Sequence, residues 1–145
     1  MSHKRLHVVI ATDFSPSADV ATGEWLRTLL PTTTVVDIVH VIAAAADPAL
    51  EGQTLATSPA MSGWVHTELE KRLARVGAMG YPAGVQTLRG DPAREIVRHA
   101  IERRADLIIL GTHGRRGFVG RVATWLLCHA HCPVLIMGEA VPLRP

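Results

Sequence analysis

The sequence predicts an α/β domain: an open, doubly wound, five-stranded parallel sheet with helices on both faces. Three observations predict it. Short, wholly apolar blocks such as Val8-Val9-Ile10-Ala11 and Leu107-Ile108-Ile109-Leu110 have the length and composition of strands buried on both sides. Segments with helical spacing of apolar residues alternate with these blocks along the chain. Strands joined through helices pair in parallel, because a parallel pair needs a crossover connection, and such crossovers place helices over the sheet.

The elements follow in order. Leu6 to Thr12 reads as the first strand. Ser15-Pro16 opens a helix, with Ser as N-cap and Pro at the first helical position. Its expected buried stripe is Ala18, Ala21, Trp25, Leu26 and Leu29, and Pro31 ends it. Gly23 inside it costs about 1 kcal/mol relative to Ala. Thr34 to Ile42 is rich in β-branched residues and reads as the second strand. Residues from about Ala43 to Pro59 are small and aperiodic, with two prolines, and read as a long, mobile loop. Met61 to Gly77 forms the second helix, with Val65, Leu69, Leu73 and Val76 on one face. Gly84 to Leu88 is a short third strand. Asp91-Pro92 starts the third helix, whose apolar face is Ala93, Ile96, Val97, Ala100 and Ile101. Asp106 to Gly111 is the fourth strand. A glycine-rich loop, Gly111 to Gly120, leads into a fourth helix ending near Ala130. Pro133 to Gly138 is the last strand.

The 145 residues read as one soluble domain, 1–145, with no internal repeat. The formal charge of +2 comes from basic residues scattered along the chain, which argues against a nucleic-acid binder. Apolar residues make up 48%, yet none of their runs approaches the roughly 18–20 that span a bilayer. The basic start, Met1 to Arg5, is followed by too short an apolar stretch for a signal peptide. Two cysteines do not suggest a disulfide framework. The expected location is cytoplasmic.

In open parallel sheets, ligands bind beyond the carboxyl ends of the strands, where the strand order switches direction. Two loops at such ends carry polar or glycine chemistry: Ala11-Thr12-Asp13-Phe14-Ser15, and Gly111-Thr112-His113-Gly114-Arg115-Arg116-Gly117. The first of these resembles the universal stress protein family. So do His40-Val41 at the end of strand two, Gly90-Asp91-Pro92 before helix three, Asp106 through Arg115, and Cys132-Pro133-Val134-Leu135-Ile136. The matches run in order over nearly the whole chain.

The resemblance implies the adenine nucleotide α-hydrolase type of fold, a cytoplasmic stress-response role, and, for some members, an adenine nucleotide such as ATP or AMP as ligand. By resemblance, Asp13 stands near the ribose and the Val41 backbone near the adenine, with Ala11 in the same candidate set. The phosphates belong to a motif of Gly, two residues, Gly, nine residues, Gly and a hydroxyl residue. Gly111 and Gly114 match its first two glycines. Its third glycine is best placed at Gly120, with only five residues between it and Gly114, and Arg121 stands where the hydroxyl belongs. Glycines and a helix N-terminus present N–H groups to phosphate oxygens, which brings His113, Arg115, Arg121 and Val122 into the candidate set. Arginine can substitute for a missing hydroxyl contact, because guanidinium groups bind phosphate well.

Other groupings read more plainly. Cys128-His129-Ala130-His131-Cys132 holds four metal-ligating side chains, but a helix end divides them, so no metal is expected. No P-loop exists that would mark an ATP hydrolase, and no catalytic residue is assigned. Trp125 and Cys128 fall outside the expected buried face of their helix (Val119, Val122, Ala123, Leu126, Ala130) and mark a candidate partner surface. By family topology the last strand, Pro133 to Met137, lies at a sheet edge, where pairing produces a homodimer. Two functions stay open: an adenine-nucleotide-binding stress module, and a nucleotide-independent homodimeric interaction module with the shortened loop as its cause.

Overall fold

The alternation of buried and half-polar residues in five segments resolves into five strands, here described from a computed structural model covering residues 4–43, 59–112 and 120–138, excepting the side chains of 59–61. Strand β1 is His7–Ala11, β2 Val35–Ala43, β3 Ala83–Gly90, β4 Leu107–Gly111 and β5 Val134–Met137. All pairings are parallel and the order is β3-β2-β1-β4-β5. The helices are α1 (Pro16–Ala21), α2 (Trp25–Leu29), α3 (Pro59–Ala78), α4 (Pro92–Glu102) and α5 (Arg121–His129). This is the doubly wound parallel sheet that the sequence predicts.

Alternate residues of the strands feed two cores. Val8, Ile10, Val36 and Ile38 pack with Ala21, Leu26, Val65, Leu69 and Val76 beneath α1–α3. Val9, Val39, Ile108 and Leu110 pack with Ile96, Ala100, Ala123 and Leu126 beneath α4 and α5. Tyr81 fastens the first core: its hydroxyl lies 2.8 Å from the carbonyls of both Leu26 and Leu30, at the end of α2.

The single first helix expected from Ser15 to Pro31 is two. Ser15 caps α1 through its hydroxyl, 3.3 Å from the Ala18 amide. The turn then tightens at Thr22, whose buried hydroxyl bonds back to the Asp19 carbonyl, while Gly23 donates to Val20. Such i−3 bonding overwinds the chain. The restarted helix buries Leu26 and exposes Trp25 and Leu29, at 53% and 48%, where burial was expected. In α3, Val65, Leu69 and Val76 are buried as expected, Leu73 only partly. Strand β3 runs longer than expected because all eight residues pair with β2 from Val36 to Ala43.

In α4, Ala93, Ile96 and Ala100 face the core, but Ile101 is exposed and His99 is buried in its place. The reason lies across the interface: Asp37, 8% exposed on β2, requires a polar partner, and His99 Nε2–H donates to its Oδ2 at 2.7 Å. Arg103 Nε stands 3.7 Å from the same oxygen. Most of the expected 43–59 loop lies outside the described residues.

Candidate functional site

The ends of β1, β2 and β4 come together because their registers are in phase, with Ala11 opposite Val39 on one side and Leu110 on the other. The chain runs outward from β1 through β2 to β3, then returns to place β4 on β1's other side, so the sheet reverses direction between β1 and β4. Over this point lies a cavity of about 190 Å³. Ala11, Asp13, Val41, Gly111, Gly120 and Val122, drawn from four separate stretches of sequence, all line it. Arg121, exposed at the first position of α5, is not part of its wall. His113, Gly114 and Arg115 lie outside the described residues.

The lining mixes chemistries. Val39, Val41, Ile96 and Leu110 contribute apolar surface. Asp13, also in the lining, stands exposed, and its Oδ1 accepts the Ser15 amide at 2.9 Å. At the start of α5, Gly120 occupies the N-cap without any side-chain cap, and its neighbours Val122 and Ala123 also border the cavity. The first-turn N–H groups of this helix therefore sit at the cavity with the positive end of its dipole.

Gly111 is required by packing. A Cβ there would stand 2.5 Å from the Ala18 nitrogen and the Ser17 carbonyl carbon, so only glycine lets β4 end against α1. Its role in the wall is thus fixed by strand–helix contact before any ligand enters.

Several wall residues were not among the candidate site residues: Ala18, Val39 and Ile96, and Thr12, His40 and Pro92, which stand in the motifs that carry the resemblance. His40 Nδ1–H donates to the Thr12 carbonyl at 2.8 Å, joining the ends of β1 and β2. Next to it, Phe14 holds a left-handed backbone, φ 65°. Its amide donates to Thr12 Oγ1 at 3.0 Å, and its ring lies 4.5 Å from that of His40 and 5.2 Å from that of Trp64 on α3.

At the far end of α5, Trp125 is half-buried against the second core, more so than its place off the expected face implied. Its ring stacks on His129 at 4.2 Å, and Leu127 and Cys128 are exposed beside it. Burial and the nearby Asp106 charge push the Cys132 thiol up from its ordinary range. Among the described residues no group of three or more His, Cys, Asp or Glu side chains is placed to hold a metal ion. Nor, among them, is any helix long and apolar enough to cross a membrane. Strand β5 pairs with β4 along one side and forms the edge of the sheet, each of its residues half-buried.

Comparison with known proteins agrees with this fold. A universal stress protein of Methanocaldococcus jannaschii is 37% identical over 95 residues, which span 56% of this chain and 56% of that protein. The solved universal stress protein UspA of Lactobacillus plantarum superposes with a TM-score of 0.79 at 21% identity, covering 94% of this chain and 99% of that one. A family protein of Arabidopsis thaliana, solved with AMP bound, superposes with a TM-score of 0.68 at 21% identity, covering 93% and 92%. One from Archaeoglobus fulgidus was solved in complex with dAMP. The profile of the universal stress protein family matches residues 4–138, and the chain belongs to that family.

Proposed function

We propose that the cavity binds an adenine nucleotide, AMP or ATP, and that the chain is a nucleotide-responsive stress module which pairs with a second copy through β5. The observation that carries the reading is the convergence of Ala11, Asp13, Val41, Gly111, Gly120 and Val122 on one cavity at the reversal point of the sheet. The apolar wall of Val39, Val41 and Ile96 suits the base, with the Val41 backbone at its edge. The Asp13 carboxylate suits the ribose hydroxyls. The start of α5 suits a phosphate, because its N-cap residue, Gly120, has no side chain to accept from the first-turn N–H groups. Relatives solved with AMP and dAMP support the choice of adenine. The place of β5 at the edge of the sheet, among the described strands, supports the homodimer.

The test is titration calorimetry with AMP, ADP and ATP on protein stripped of co-purified nucleotide. Saturable binding is the expected result, weakened about tenfold or more by Asp13→Ala, the cost of losing hydrogen bonds to a charged group. The short spacing from Gly114 to Gly120 and Arg121 in the hydroxyl's place favour a second reading, a nucleotide-independent dimeric module. No heat at millimolar nucleotide would leave that reading standing.

A further inference from the structure

Arg72 is an arginine on the wrong face of its helix. Val65, Leu69, Arg72 and Val76 fall on one stripe of α3, and Arg72 is 5% exposed among them. A buried charge is costly unless it is paired and hydrogen-bonded, and this one is. Its Nε and Nη2 lie 2.8 and 2.7 Å from Asp19 Oδ1 on α1. Its Nη1 donates to Glu68 Oε2 at 2.8 Å and to the Glu68 carbonyl at 2.9 Å. The guanidinium carbon then stands 4.7 Å from the centre of the Phe14 ring, within reach of a cation–π attraction.

These contacts converge on the loop that forms one wall of the cavity. Phe14 directly follows Asp13 and holds a backbone that non-glycine residues rarely adopt. A conformation of that kind persists only where its surroundings impose it. Here the Thr12 hydroxyl holds the amide, and Arg72, His40 and Trp64 hold the ring. Through Asp19, the same arginine fixes α1, whose Ala18 also borders the cavity.

We infer that Arg72 is a positioning residue for the ligand site: by stacking on Phe14 and clamping Asp19, it sets the direction in which the Asp13 carboxylate enters the cavity. Arg72 does not line the cavity itself. The inference rests on the nucleotide reading above and deepens it, because it assigns recognition of the ribose to a contact on the far side of the loop.

The experiment compares AMP with 2′,3′-dideoxy-AMP by calorimetry, for the full chain and for Arg72→Met and Phe14→Leu. The unsubstituted chain is expected to prefer AMP by about tenfold, as a charged hydrogen bond to the ribose provides. Both variants should bring that ratio towards one, whereas general loosening of the fold would weaken both ligands together and leave it unchanged. Arg72→Lys keeps the charge but not the planar fork, and should restore only part of the ratio. Phe14→Leu leaves Arg72 paired with Asp19 and Glu68, so it carries the test if Arg72→Met does not fold. A folded variant that keeps the full preference overturns the positioning role alone. Failure of the unsubstituted chain to bind AMP overturns the nucleotide reading and this inference with it. Binding without preference overturns the link from Asp13 to the ribose, and again this inference.

Discussion

His99 Nε2 lies 2.7 Å from Asp37 Oδ2, and both side chains are buried between α4 and β2. The pair sits two residues into β2, where Asp37 stands opposite Val9 of β1, while the cavity is lined by Val39, His40 and Val41 further along the strand. It therefore holds α4 to the sheet below the ligand site without entering it.

That placement makes a double-mutant prediction. Asp37→Val alone leaves His99 buried without its acceptor, and His99→Leu alone leaves a buried carboxylate with Arg103 as a more distant partner. Each single variant should lose about 1–3 kcal/mol, the range for leaving a buried hydrogen-bonding group without its partner. The double variant should be more stable than the sum of the two losses implies, because neither polar group is stranded. Urea denaturation of the four proteins measures the coupling; strictly additive losses would show that the two side chains do not depend on each other.

Gly111 and Gly63 should respond in opposite directions to alanine. At Gly111 the new Cβ meets the α1 backbone at 2.5 Å, which strand or helix must move to relieve, at about 1–3 kcal/mol or more. At Gly63, inside α3, nothing among the described residues lies within 4 Å, and the substitution should add about 1 kcal/mol through helix propensity. Thermal unfolding of Gly111→Ala and Gly63→Ala, followed by circular dichroism, reads both signs.

Asp106 ties the chain's start to β4. Its carboxylate pairs with Lys4 and accepts the His7 amide, and these two contacts hold its pKa below the ordinary value. A carboxyl group depressed in the folded state adds stability above its unfolded pKa, about 3.9, and loses that contribution as pH falls through the lower folded value. The stability gap between the unsubstituted chain and Asp106→Asn should be constant near neutrality and narrow below about pH 4. Lys4 is exposed, so the gap should also shrink in high salt. Denaturation at pH 7 and pH 3 checks the sign.

The sheet was legible because its strands announce themselves: Val8 to Ala11 and Leu107 to Leu110 carry only apolar side chains, as strands covered on both faces must. The site's outline was legible too, since the topological rule points to the loops after β1 and β4, and Asp13, Gly111 and Gly120 stand there. What escaped was polar chemistry on apolar faces. Polarity alone leaves His99 and Arg72 out of the apolar faces, although Asp37 within Val35-Val36-Asp37-Ile38-Val39 signals a buried acceptor needing a partner. Arg72 on the stripe of Val65, Leu69 and Val76 carries the same signal. The break after Ala21 depends on the Thr22 hydroxyl turning back to Asp19, a choice that spacing does not encode. Glycine at position 111 was visible, but its reason, the approach of Ala18, belongs to tertiary structure.

The most direct test of the central claim is a backbone amide NMR titration with AMP. Binding in the cavity predicts saturable shifts at Asp13, Val41, Gly120 and Val122, the residues that border it, with little change at Asp37 and His99 on the deeper part of the sheet. Shifts confined to the α5 end around Trp125 and Cys128, or none at millimolar AMP, would contradict the account.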